Sequence, residues 1–166
     1  MKHLLLTLCL FCAVCCFAAR EVTAKNSDWL VGIARMNHSE LTAEEVALKR
    51  CMAFVLHEHK AFSETLPPKS AEKWANKKIK KETEDSFRRQ RIRAKMKNTY
   101  KYVANTVSED ENKAVVDVKE YLSNKHNATY RYNLEKKENG WIIVSEYGVW
   151  SDSQTIKEPT LMGKWE

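Results

Sequence analysis

The dipeptide Asn139-Gly140 lies between two runs that alternate polar and apolar residues, Thr129 to Glu138 and Trp141 to Trp150. No other feature of the chain restricts its fold as strongly. Asn-Gly accepts the two positive φ angles of a tight type I′ turn, so the flanking runs are expected to form a β-hairpin. In the two-residue register Glu138 meets Trp141, Lys136 meets Ile143, Leu134 meets Ser145, Tyr132 meets Tyr147 and Tyr130 meets Val149. Side chains alternate along a strand, so these residues share one face. That face carries Trp141, Ile143, Leu134, three tyrosines and Val149, whereas the opposite face is mostly charged. An antiparallel sheet with one wet face divides its residues in this way.

Two further strands are expected before the hairpin. Tyr100 to Val107 is followed by the polar turn 108–112, and Lys113 to Ser123 is rich in β-branched and aromatic residues. Ala114, Val116, Val118 and Leu122 fall on the inner face, and Glu120 is the one acid whose alternation puts it there. Helices are expected ahead of the strands. Residues 26–37 suit a short helix carrying Trp29, Leu30 and Ile33, within an N-terminal extension spanning 25–40. Thr42 and Glu45 have the spacing of a capping box. From there Leu48, Cys51, Met52, Val55, His59 and Phe62 recur at helical spacing, with Phe54 and Leu56 widening the apolar stripe. Pro67-Pro68 interrupts, and a second helical region begins at Lys69. The expected fold is α+β: N-terminal helices packed on a curved antiparallel sheet of about four strands, a cone-like domain over 41–150 with a C-terminal tail at 151–166.

The first residues read as an address rather than as part of this domain. After Met1-Lys2-His3, residues Leu4 to Ala19 are uncharged and apolar, short for a membrane span and followed by small residues. A signal peptide over 1–19 is expected, with cleavage as late as Ala24 also compatible. The protein is then exported, periplasmic or secreted. Lipoprotein anchoring is disfavoured because Leu8, Phe11, Val14 and Cys15 precede the four cysteines of this run. Cys51 is left as the single thiol of the mature chain, which excludes a disulfide scaffold. Asn37-His38-Ser39 and Asn127-Ala128-Thr129 fit glycosylation sequons, relevant in a eukaryotic source.

Between Lys69 and Lys101 nine lysines and four arginines face three glutamates and one aspartate. Lys77, Lys78, Lys80, Lys81, Arg88, Arg89 and Arg91 form a basic surface suited to an anionic membrane surface or an acidic protein. Nucleic acid is the less suitable partner for an exported chain. Residues 91–97 alternate like a strand. His57-Glu58-His59 places its imidazoles on nearly opposite sides of a helix, so no metal site is expected. No sequence motif calls for a cofactor.

Three stretches, LTAEEVALKRCMAFV, SEDENKAVVDVKEYL and YRYNLEKKENGWIIV, carry a resemblance to the nuclear transport factor two-like (cystatin-like α+β cone) superfamily. They are most similar to exported bacterial lumazine-binding-like domains of unknown function, and the likeness covers roughly 41–150. The resemblance implies a helix enclosing a pocket against a curved sheet, in a group that includes isomerases, dehydratases and non-enzymatic binders. Three functions follow as expectations. The first is an exported non-enzymatic binding module that holds a small apolar ligand or a protein partner on the concave sheet face or the basic surface. Tyr130, Tyr132, Trp141, Ser145 and Tyr147 are its pocket candidates. The second is a small isomerase or dehydratase with Glu120 as base and tyrosine hydroxyls as oxyanion donors. The third is an anionic envelope-surface binder working through the 69–101 stretch.

Overall fold

The computed structural model describes the backbone of residues 21–24, 27–56, 58–78, 100–150 and 160–165, and the side chains of 28–56, 58–75, 101–148 and 161–165. The chain is α+β. Strand β1 (Glu21–Ala24) precedes helix α1 (Ser27–Arg35), a 3-10 turn (His38–Glu40), α2 (Ala43–Leu56), α3 (His59–Glu64) and α4 (Pro68–Lys78). Five strands follow: β2 (Tyr100–Glu109), β3 (Lys113–Leu122), β4 (Lys125–Lys137), β5 (Gly140–Trp150) and β6 (Thr160–Lys164). All pairings are antiparallel and the strands lie side by side in chain order. The four expected strands are joined at the edges by β1 and β6, both too short to carry a readable alternation.

The capping box at the start of α2 is formed in both directions. The Thr42 backbone N–H donates to Glu45 Oε2 at 2.8 Å, and the Glu45 N–H donates to Thr42 Oγ1 at 3.3 Å. The helix stops earlier than its periodicity suggests. Glu58 N–H reaches back five residues to Ala53 O, and a separate short helix begins at His59. Phe54, within α2, is 62% exposed instead of lying in the stripe. His59 is half-buried and stacks on Trp74 at 5.9 Å, whereas His57 lies outside the described residues. Pro68 occupies the first position of α4, where a missing N–H costs nothing. The expected strand at 91–97 lies outside the described residues.

The hairpins differ from expectation in an instructive way. Ser123 and Asn124 both take positive φ (50° and 65°) between Leu122 and Lys125, which are paired, so the two-residue turn of I′ type joins β3 to β4. At the β4–β5 turn only Gly140 does so, with φ 103°, and Lys137 pairs with Gly140. This is the pattern of a turn closed by a glycine bulge. Lys136 therefore meets Trp141 and Leu134 meets Ile143. A second irregularity follows, after which Asn133 meets Ser145, Tyr132 meets Glu146 and Arg131 meets Tyr147. Trp141 and Ile143 face the core, 5% and 0% exposed. Beyond Val144 the phase is inverted: Glu146 turns inward and Ser145 and Tyr147 turn outward.

Each of the four strand pairs from β2 to β6 contains one such irregularity. Bulges bend and twist the strands that carry them, which curves the sheet around α2. The helix packs against β2, β3 and β5 across the concave face, with α1 and α3 on its other flanks. Its floor is Val116, Val118, Tyr132, Leu134 and Ile143, all essentially inaccessible to solvent.

Candidate functional site

Because α2 is covered by the sheet on one side and by helices on others, side chains on most of its sides are buried. Glu44, Lys49 and Arg50 are 2%, 0% and 2% exposed. A buried charge must find a partner, and each of these does. Glu44 accepts a short hydrogen bond from Thr106 Oγ1. Lys49 Nζ lies 2.6 Å from Glu64 Oε2. Arg50 donates through Nε and Nη2 to Glu146 Oε2, at 3.3 and 3.0 Å. The Arg50 guanidinium also lies 3.4 Å above the Phe62 ring centre and 4.9 Å from that of Trp165. Burial pulls its pKa below the usual arginine value, against the opposing attraction of Glu146.

From Arg50 a polar seam runs along the concave face. Tyr132 Oη is 3.5 Å from Glu146 Oε1 and 3.1 Å from Cys51 Sγ. Burial drives the Cys51 thiol and the Tyr132 phenol far above their ordinary values, so both stay protonated. With the thiol as donor, the chain runs from Cys51 to Tyr132 to Glu146. Farther along, Glu120 is 5% exposed and accepts from Tyr102 Oη at 2.8 Å and from Asn127 Nδ2 at 2.5 Å. Tyr102 is wholly buried, and desolvation raises its phenol strongly, with the nearby Cys51 and Glu120 adding to the effect.

Of the residues singled out in the sequence, Glu120, Tyr132 and Trp141 do sit on the concave side, and Tyr130 is half-buried against the core. They line a packed wall: Tyr132 is 1% exposed and Trp141 5%. Ser145 and Tyr147 are on the convex face, displaced there by the bulge at Val144, and Ser145 Oγ accepts from Asn133 Nδ2 at 2.7 Å. Leu122, expected inside, is 38% exposed beside the β3–β4 turn. Both Glu120 oxygens already accept hydrogen bonds, and the Tyr132 hydroxyl is held by Cys51 and Glu146. Lys77 and Lys78 end α4 with side chains outside the described set. Lys80, Lys81, Arg88, Arg89 and Arg91 lie outside the described residues altogether.

Arg50, Glu146 and Asn127 are members of the seam that sequence reasoning missed. Arg50 falls opposite the apolar stripe, the position of a solvated charge unless the helix is enclosed. Glu146 is inverted by a bulge that leaves no compositional mark.

Among the described residues there is open space beside the helices and on the outer face of the sheet. A groove of about 270 Å³ between α1, the end of α2 and α3 has an apolar floor and walls of Leu30, Val31, Ala34, Leu56 and Ala61. Val31 is 48% exposed at its lip. A second depression, about 440 Å³ on the convex side of β5 and β6, mixes Ile142, Val144 and Leu161 with Glu135, Lys137 and Lys164. Among the described residues no group of His, Cys, Asp and Glu could hold a metal ion, and no helix is long and apolar enough to cross a membrane. No family model, no curated protein and no solved structure matches the chain.

Proposed function

We propose that the protein is an exported, non-enzymatic binding module on a cone of the nuclear transport factor two-like kind, which carries a small apolar ligand outside the cone. The observation that carries this reading is the state of the concave face. Its apolar floor is closed by α2, and its polar groups hydrogen-bond one another, with Glu120 buried and accepting from Tyr102 and Asn127. The groove between α1 and α3 is instead open and apolar, just below the usual size range of ligand sites. Cleavage after Ala19 would retain β1 and cleavage after Ala24 would remove it.

The test is binding of an uncharged, environment-sensitive naphthalene dye to the purified protein. Val31→Glu and Ala34→Glu place a carboxylate on the groove wall at positions already exposed, so the fold tolerates them. Each should weaken dye binding at least tenfold, and Glu120→Gln should leave it unchanged. Dye binding indifferent to both wall variants and lost in Glu120→Gln would return the ligand to the cone.

A further inference from the structure

We propose that the ligand of this groove is an amphiphilic anion of the fatty-acid class, its chain laid on the apolar floor and its carboxylate held at the rim by Arg35 and Lys60. The inference rests on the groove being the binding site and adds the chemistry of its occupant. Four charged residues border the groove: Arg35, Glu58, Lys60 and Glu64. Their formal charges cancel, but their commitments differ. Glu64 is taken by the wholly buried Lys49, whose ammonium lies 2.6 Å from Oε2. Glu58 is already engaged within the fold. Lys60 is 86% exposed on its side chain and only loosely tied to Glu64, at 4.0 Å, a solvated contact of little worth. Arg35 is exposed in the last turn of α1. Glu64 is thus bound to a buried cation, and Arg35 and Lys60 stand exposed beside an apolar trough.

That combination matches a molecule with one apolar tail and one negative head. A neutral apolar ligand would leave the cations unused, and a cationic amphiphile would be repelled by them. An arginine pairs a carboxylate in two-pronged fashion, and a mobile lysine adds a second point charge. The groove is a trough rather than an enclosed chamber, so a chain can enter lengthwise with its head in water.

Isothermal titration of the purified protein with decanoate, decanol and decyltrimethylammonium, below their aggregation concentrations, tests this. Decanoate should bind at least tenfold more tightly than decanol, with the cation weakest and the advantage reduced by added salt. From octanoate to decanoate to dodecanoate, affinity should rise about fourfold per methylene. The double substitution Arg35→Glu with Lys60→Glu should abolish the preference for decanoate and turn it toward the cation, while decanol binding holds. Val31→Glu should weaken decanol and decanoate alike. Equal affinities for the three head groups, with Val31→Glu still disruptive, would overturn the anionic preference and leave the groove standing. Binding insensitive to Val31→Glu would overturn both.

Discussion

Gly140 is constrained twice. Its φ of 103° belongs to a region that side chains avoid, and a Cβ there would sit 2.7 Å from the carbonyl oxygen of His38 and 2.9 Å from Ser39 Cα. Both neighbours are backbone, so neither gives way cheaply. Gly140→Ala should therefore cost more than the ~1 kcal/mol of positive φ alone, on the order of 2–4 kcal/mol by urea denaturation. A loss below 1 kcal/mol would mean that the 3-10 turn is not seated on the hairpin. His38 reports on the same contact. Its Nε2 lies 2.8 Å from the Trp141 carbonyl, which only accepts, so Nε2 carries the proton and the buried Nδ1 is left without a partner. Burial lowers the imidazole pKa below 6.5, helped by Lys49 and opposed by the Trp141 hydrogen bond and by Glu64. The sign follows from linkage. Above 6.5 both states are neutral at His38 and it adds no pH dependence. As pH falls below 6.5 the unfolded chain takes up the proton first, and stability is lost. Denaturation at about pH 7.5 and about pH 5.5 should show a larger acid loss for the native protein than for His38→Gln. An equal loss in both would remove His38 from the acid response.

At the scale of elements, sequence periodicity recovers which segments are helix and strand better than how strands are registered. The capping box at Thr42 and Glu45, the strands Tyr100–Glu109 and Lys113–Leu122 and the burial of Trp141 and Ile143 follow from local chemistry and alternation, and all are present. The turn at Asn139-Gly140 was legible as a turn but not as a type. Asn-Gly serves an I′ turn and also a turn closed by a glycine bulge, and the choice moves each pair as far as Leu134 by two residues, so that Lys136 meets Trp141 instead of Ile143 and the faces are kept. Seating Gly140 against His38 and Ser39 is a tertiary contact, which is why no local rule selects between the two. The seam was legible at Glu120, Tyr132 and Cys51 but not elsewhere, for Glu146 faces inward through a bulge and Arg50 is enclosed by neighbours far away in sequence. The I′ turn itself uses Ser123 and Asn124, and serine is poorly suited to a φ of 50°. Replacing the pair by Ser123→Asn with Asn124→Gly should stabilise the protein by about 0.5–1 kcal/mol, read as a higher midpoint at unchanged slope. A decrease would show that the turn's side chains, and not its backbone, hold β3 to β4.

Across the whole molecule one side chain touches every layer. Arg50 leaves α2, stacks on Phe62 of α3, reaches Glu146 on β5 and lies beside Trp165 just past β6. Helices and sheet are therefore joined through a desolvated ion pair, with side chains 3% and 13% exposed. Such a pair gives little net stability against an apolar pair of the same size, because desolvation offsets its attraction, but breaking one half is costly. Arg50→Met leaves Glu146 without its cation and should destabilise by about 3–5 kcal/mol. For a chain of this length that lowers the melting temperature by roughly 10 °C. Arg50→Met with Glu146→Leu removes both charges and should recover most of the loss, so the two substitutions should be strongly non-additive in denaturation experiments. Added salt should change the native value little, since a buried pair is poorly screened. Additive losses in the double variant would mean that Arg50 acts through its stacking on Phe62 and Trp165, and that apolar contact alone holds the helices to the sheet.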